Sequence, residues 1–412
     1  MTDDASEPLL ADIRVVEVAT LVFGPSAGVI LSDFGADVIK VEPPVIGDLN
    51  RRYHTLPGMP ESELAYTFEV DNRNKKSIAI DIRSEQGYAV FRKLIEGADV
   101  FLSNYRLGAL ERLKIGYEDL KAINPEMIYA IGTGYGEEGD ERDKPGYDSV
   151  CYWTRSGIEG HVFPVGGWLG AFPFGAGDHP SGTTLFAAIM TGLYQRQKTG
   201  RGCKVSTSLL ATGAWANATL LQAQLCNARF KEKRPRDRAH NYAYLHYRCS
   251  DGRLIRLGIV NAGKDWVPFC RAVDHPELAD DPRFATAENR ADNMEQLLAV
   301  LDVAFAGRDV DFWRERLGSC DIPFAVVPTY EEAANDLQKA DNDIVIPLEH
   351  PRFGSIRTVN SPFAVSGCPK IPPGSAPGLG EHTRDVLESL GYDDAAIDAM
   401  IGDGVVAKGA DN

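Results

Sequence analysis

Between Ile13 and Gly132, short runs of β-branched residues alternate with helix-forming segments, and this alternation restricts the possible folds more than any other feature of the 412-residue chain. Ile13–Val18 reads as a buried strand, Phe23-Gly-Pro-Ser26 as a turn, Ala27–Phe34 as a short helix and Asp37–Val41 as the next strand, which makes a βαβ unit. After a proline-bearing loop over 43–70, strands at Ser77–Asp81, Val100–Ser103 and Met127–Gly132 alternate with a helix at Glu85–Glu96 and a helical region through Ala122. Parallel strands need crossover connections. The pattern therefore predicts an α/β, Rossmann-like large domain with a mostly parallel sheet covered by helices on both faces. It does not give the strand order. The opening unit lacks G-x-G-x-x-G and offers only Gly24 and Gly28, which argues against a nicotinamide cofactor.

Glycine becomes dense from Gly157 to Gly182, in a segment that also carries Phe163, Trp168, Phe172 and Phe174. A long loop of this kind is more often functional than idle. Near its end Asp178 lies just before a helical run, Thr183–Lys198, with Leu185, Ala188, Ile189 and Leu193 at helical spacing. Unpaired amides and the positive end of the dipole favour a carboxylate there. Spacing alone leaves Asp178 as either an N-cap or an active-site group. Lys204–Thr207 then reads as a strand and Leu209–Leu225 as a helix.

The basic stretch Asn227–Arg238 reads as a linker out of a first domain part, 1–226. A smaller α+β domain follows over 227–322, with a hairpin of Tyr244–Cys249 and Leu254–Val260 and helices at Trp266–Val273, Asn289–Ala306 and Val310–Gly318. Near Ile322 the pattern changes again, opening a third part, 323–412, with a strand at Phe324–Val327, a helix at Glu331–Lys339, short strands to Val365 and a terminal helical pair.

A formal net charge of -16 argues against nucleic acid or an anionic membrane as a partner. The seven cysteines are scattered with no C-x-x-C pair, which speaks against a metal site or a disulfide framework and fits a reducing cytoplasm. The acidic opening, MTDDASEPLLADIRVVEV, has no signal-peptide pattern, and no stretch approaches the ~20 apolar residues of a membrane span.

Several phrases, taken in order, resemble the family III CoA-transferases, the CaiB/BaiF superfamily. They are Phe34-Gly-Ala-Asp-Val-Ile-Lys-Val-Glu42, Asn74-Lys-Lys-Ser77, Asn104-Tyr-Arg-Leu-Gly-Ala-Leu-Glu-Arg112, Gly134-Tyr-Gly136 and Pro145-Gly-Tyr-Asp148. Gly177-Asp178 with Gly182 and Lys198-Thr-Gly-Arg-Gly202 come next, then Asp281-Pro-Arg-Phe284, Gly378-Leu-Gly-Glu-His382 and Leu390-Gly-Tyr392. The resemblance covers nearly the whole chain, and the ordered set is far more specific than any single phrase.

The resemblance implies an interlocked homodimer, with a heteromer as the alternative, whose large Rossmann-like domain is completed by the returning segment 323–412. It makes Asp178 the nucleophile of an acyl-CoA:carboxylate CoA-transferase and Asp148 an assisting acid, or alternatively a structural acid after Pro145-Gly146. The reaction it implies passes through an aspartyl mixed anhydride and an aspartyl-CoA thioester. CoA is then a substrate, with no tightly bound cofactor and no metal. Asn74, Lys75, Lys76, Asn104, Tyr105 and Arg112 match positions that hold CoA in relatives. Lys75 and Lys76 are alternatively a solvated surface pair, and Arg112 a helix partner. Amides of Gly134–Gly136 and Gly175–Gly177 are the expected oxyanion donors, unless those glycines serve only tight turns.

The departures narrow the reading. Tyr147 stands where the related α-methylacyl-CoA racemases carry an acid/base histidine, and a phenol of pKa ~10 is ill suited to that work. Val22, beside Phe23, stands where the oxalate/formate branch carries glutamine. Cys151–Gly157 resembles transferases of larger, often aromatic acyl groups, so the expected substrate is a bulky, aryl or substituted dicarboxylic acid. Val22, Phe23 and Tyr147 are expected at its pocket, Tyr152, Trp153 and Trp168 line it or are ordinary core, and Arg155 is placed to meet an acceptor carboxylate. The rival readings are a racemase-like isomerase and a non-catalytic CoA-binding subunit.

Overall fold

In the computed structural model, residues 7–259 and 263–409 are described, and the chain divides into two compact units. The first comprises the chain up to Val162, Ala171–Cys226 and the chain from Gln338 onward, and the second comprises Phe163–Gly170 with Asn227–Leu337.

The first unit is built on seven strands: β1 (Arg14–Val18), β2 (Asp37–Glu42), β3 (Lys76–Ile80), β4 (Val100–Ser103), β5 (Ile128–Thr133), β6 (Lys204–Ser208) and, from the far end of the chain, β12 (Val406–Ala407). Their order is β12-β3-β2-β1-β4-β5-β6. All neighbours pair in parallel except β12, which runs antiparallel to β3. The order reverses between β1 and β4, so the loops leaving their carboxyl ends flank a topological switch point, where such sheets bind ligands.

Pleating sends successive residues to opposite faces. Val16, Ile39, Ile78, Phe101 and Tyr129 face one core with Phe91 and Leu94 of α3 (Glu85–Glu96). Val15, Val38, Val100 and Ile128 face another with Ile30 and Leu31 of α1 (Phe23–Asp33) and Leu185 and Ile189 of α7 (Asp178–Thr199). Helices α1 and α7 approach closely because residue 182 is glycine, where a Cβ would fall 1.9 Å from Ser26 Oγ and 2.9 Å from the Phe23 carbonyl.

One feature of this core is charged. Lys40 Nζ lies 3.0 Å from Glu17 Oε1 and 2.9 Å from Asp48 Oδ2, and Lys75 Nζ lies 2.8 Å from Glu17 Oε2, with all four side chains essentially inaccessible. Asp48 also accepts from Thr20 Oγ1, Leu21 N and Asn50 N. Asn104 clamps Thr20 from the other side, accepting from its amide at 2.9 Å and donating to its carbonyl at 2.8 Å. The switch-point loop after β1 is thereby fixed, with Leu21 held at a φ of 60°.

Several elements depart from the sequence expectations. The turn at Phe23–Ser26 is the first turn of α1, and Pro25 is tolerated there because early helical amides lack partners anyway. The loop over 43–70 contains a short 3-10 helix, Leu49–Thr55, and the start of α2 (Tyr66–Asn72). The helix expected over Leu209–Leu225 breaks at Asn217 into α8 (Leu209–Ala216) and α9 (Ala218–Leu225), where the Asn217 amide donates to the Ser156 carbonyl.

The second unit holds a three-stranded antiparallel sheet, β7 (His246–Arg248), β8 (Leu254–Leu257) and β9 (Phe324–Val326), over a core that includes Tyr247, Trp266, Phe269, Phe305 and Trp313. Because β9 pairs with β8, the boundary expected at 322/323 is corrected to 337/338, and Phe163–Gly170 also moves to this unit. Val260, the expected end of the hairpin, lies outside the described residues. In the first unit β10 (Val345–His350) and β11 (Gly354–Val359) form a separate hairpin.

Candidate active site

Helix α7 starts at Asp178, and its N-cap is Gly177. The Asp178 carboxylate therefore sits one residue past the position from which an aspartate caps, at the positive end of a 22-residue helix. Gly177 is required by its surroundings, since a Cβ there would lie 2.7 Å from the Tyr152 ring. Asp148 closes the turn from the other side. Its Oδ2 accepts from Gly177 N at 3.0 Å and its Oδ1 from Ser149 N at 2.6 Å. Burial and the nearby Asp148 charge push the Asp178 carboxyl up to about 7, with His179 opposing and Asp71 adding to the rise.

Aromatic rings line the same segment. Tyr53 stacks on Phe174 with centroids 4.0 Å apart, and its phenol is pushed up by burial and by the charges of Tyr147, Asp148 and Asp178. Trp153 stacks on Phe172 at 4.3 Å with planes 7° apart, and Tyr152 meets Trp153 edge-on. A carboxylate at a helix terminus, flanked by a second acid and an apolar aromatic wall, suits nucleophilic attack on an acyl carbonyl.

Residues 10–383 match the family described as CoA-transferase family III. This chain belongs to that family. It is 31% identical over 394 residues to the (R)-2-hydroxy-4-methylpentanoate CoA-transferase of Clostridioides difficile, covering 94% of this chain and 97% of that one. It is 29% identical over 401 residues to the cinnamoyl-CoA:phenyllactate CoA-transferase of Clostridium sporogenes, covering 95% and 96%. Its fold is similar to the crystal structure of a CaiB/BaiF family protein from Brucella suis, with a TM-score of 0.81 and 28% identity over 92% of this chain and 98% of that one.

In this family III CoA-transferase the residues expected to hold CoA are not gathered in one place. Asn104 and Tyr105 follow the carboxyl end of β4, with the Tyr105 phenol pushed up by burial, and Arg112 is exposed in the last turn of α4 (Leu107–Leu113). The Asn104 amide accepts from and donates to the Thr20 backbone, which shapes the loop after β1. Lys76 reaches Asp37, the first residue of β2, at 2.7 Å, and so serves the amino-terminal edge of the sheet instead. Lys75 is corrected from a phosphate ligand to a core residue. Its ammonium is saturated by Glu17, the Pro25 carbonyl and Asn72, and burial pushes it down to about 8 against the pull of Glu17. Asn74 adopts a φ of 63° and accepts from Gly374 N, while its Nδ2 is buried without a partner.

The remaining expected residues divide between wall and scaffold. Val22 and Phe23 are buried, and Phe23 packs on Gly132, so both support the site from behind. Tyr147 is exposed beside Asp148. Arg155 pairs with Glu141 at 2.8 Å, and Lys144 pairs with the other oxygen of the same carboxylate at 2.9 Å, so the Arg155 guanidinium already meets one carboxylate of this chain. Those two cations hold Glu141 down at about 2. Three amides among the expected oxyanion donors already have acceptors: Gly136 on Thr133, Ala176 on Pro173 and Gly177 on Asp148. The sequence reading missed Tyr53, His179 and Asp71. A histidine beside the proposed nucleophile was a usable signal, whereas Asp71, 108 residues from His179, offered none.

Proposed function

We propose that this family III CoA-transferase carries the CoA exchange on Asp178, and the observation that carries the reading is an aspartate at the first position of α7 whose carboxyl is raised to about 7. The Asp178 carboxylate attacks the thioester carbonyl and expels CoA thiolate, leaving an aspartyl–acyl mixed anhydride. The thiolate attacks the aspartyl carbonyl, the donor acid departs, and an aspartyl-CoA thioester remains. An incoming carboxylate reverses both steps. The thioester bond is conserved, so neither ATP nor metal is required. Developing oxyanions face the positive end of α7, and Asp148 holds the turn through Gly177. CoA enters as a substrate, and Tyr105 and Arg112 are the best placed of the expected residues to meet it.

The rings of Tyr53, Phe174, Trp153 and Phe172 favour a bulky or aryl acyl group. The names of the two relatives, one for a branched 2-hydroxy acid and one for an aryl pair, point the same way. The test is to incubate the protein with cinnamoyl-CoA, succinyl-CoA and acetyl-CoA against a panel of free acids, following exchange by mass spectrometry. Aryl or branched acids are expected to exchange without ATP or metal, and absence of any exchange would overturn the reading. Attack requires the ionised carboxylate, so kcat/KM is expected to fall below pH 7, approaching tenfold per unit, and to level off above it. A profile flat from pH 5.5 to 8 would count against Asp178.

The homodimer belongs to the same proposal. Tyr194 on α7, Trp215 on α8 and Leu225 on α9 are large apolar side chains left exposed, the last two at 80% and 77%. Trp215→Glu is expected to convert a dimer into a monomer in sedimentation experiments, and a wild-type chain that sediments as a monomer would refute the assembly. No helix among the described residues is long and apolar enough to cross a membrane. A reducing, cytoplasmic setting belongs to the same proposal, on the ground that the seven cysteines are scattered with no C-x-x-C pair.

A further inference from the structure

His179 follows Asp178 in the first turn of α7, and each of its ring nitrogens faces an oxygen. Nδ1 lies 2.9 Å from the Gly175 carbonyl and Nε2 lies 3.1 Å from Asp71 Oδ1. A carbonyl oxygen only accepts, and so does a carboxylate oxygen. Both nitrogens must then carry hydrogen, and a neutral imidazole has only one to give. The shared proton stays on the ring because imidazole is the stronger base by more than about two pK units.

The environment of Asp71 demands the same charge. Asp71 is 1% exposed on α2, and its second oxygen, Oδ2, is buried without a hydrogen-bond partner. A buried carboxylate in that state needs a cation. The nearby ammonium of Lys75 is committed to Glu17, Pro25 and Asn72, which leaves the imidazolium of His179. The His179 side chain is 46% exposed, so the ring is held by two contacts while one face stays open.

Asp178 lies among acids. Asp148, bonded to the turn through the Gly177 amide, and Asp71, from α2, both oppose its ionisation, and the Tyr53 and Tyr147 phenols and the Cys151 thiol bring no cation. Beside the positive end of α7, His179 is the side chain among the described residues whose charge favours the ionised carboxylate. Consistent with the geometry, the ring is raised to about 9, burial opposing the charge while Asp71 and the Gly175 carbonyl support it.

We propose that Asp71 and His179 form a positioning pair in which Asp71 fixes His179 as an imidazolium, and that this cation offsets Asp148 so that Asp178 stands ionised for attack. The inference rests on the reading of Asp178 as nucleophile. Its test needs no substrate. In the full-length protein, 15N spectra of the His179 ring are expected to show both nitrogens protonated at pH 7.5. The 13C-carboxyl titration of Asp178 is expected to move up by about 1–3 pH units in His179→Gln, which removes the cation and leaves Asp71. In the double variant Asp71→Asn/His179→Gln it is expected to move part of the way back. A merely structural, neutral histidine would not produce the upward shift in His179→Gln, because its removal takes no charge from beside Asp178.

A neutral His179 ring in the wild type, or an Asp178 midpoint unmoved in His179→Gln, would overturn the pair. Should the variants fail to fold, the wild-type ring spectrum still decides. Full transfer by Asp178→Asn would remove the nucleophile reading instead, with the His179 spectra unchanged, so the two failures are distinguishable.

Discussion

Asp178→Asn is expected to lower CoA transfer by about 10³–10⁶-fold, the range seen when a covalent nucleophile is removed from an otherwise intact site. The asparagine keeps the shape of the side chain and loses its ability to form an anhydride. The same change should not weaken the fold. The folded carboxyl sits near 7, above the roughly 3.9 of an unfolded aspartate. A carboxyl raised in this way contributes stability below the unfolded value, and that contribution is lost as pH rises through the folded one. Above pH 7 the wild type therefore carries an unfavourable buried charge beside Asp148. Asp178→Asn is expected to melt higher than wild type at pH 8, with the advantage shrinking towards pH 4. Undiminished turnover, with deamidation excluded by mass spectrometry, would sink the assignment. A lower melting temperature at pH 8 would show that the carboxylate is structural.

The second large effect is expected at Lys40. Lys40→Met removes the cation between Glu17 and Asp48 and leaves two buried carboxylates facing each other with only Lys75 to answer Glu17. Breaking a buried pair this way costs about 3–5 kcal/mol, far more than the ion pair itself contributes. Burial opposes the Lys40 charge, but Asp48, Glu17 and Glu42 together raise it well above an ordinary lysine, so it stays protonated at any accessible pH. Asp48 is lowered despite its burial, by Lys40 and by the amide and hydroxyl donors around it. Its contribution is present above the unfolded value near 4 and lost as pH falls below it. The deficit of Lys40→Met should accordingly narrow in acid. Urea unfolding of Lys76→Met supplies the contrast. That lysine is 48% exposed and its pair with Asp37 is worth at most about 1 kcal/mol. Equal losses in the two variants would disprove the account of the buried network.

The alternation of Val-rich runs with helical segments carried the parallel sheet, because each side-chain period is a local property of the chain. The strand order was not legible, since it depends on which edges meet after the crossovers. Asp178 was legible because glycine density, helix onset and family phrases converge on one short stretch. Lys75 was not. Two adjacent lysines look alike in sequence, yet one turns into the sheet to meet Glu17 and the other turns out to Asp37. The pairing of Arg155 was not legible for a related reason: its partner Glu141 lies in a loop whose path the local pattern does not specify. The Asp71–His179 contact illustrates the general limit, as it joins residues of ordinary appearance through tertiary structure alone.

The position of β12 also bears on how the protein is made. The sheet edge at β3 is paired by Val406 and Ala407 and met by the His382 amide on the Ser77 carbonyl, and most of the second unit, Asn227–Leu337, lies in the chain between β6 and these closing segments. Until those segments dock, β3 stands as an unpaired edge, the kind of surface that invites pairing with another chain. The second unit has its own sheet and core and meets no such delay. Docking of the returning segment, more than any local helix or hairpin, sets the moment at which the large sheet is sealed.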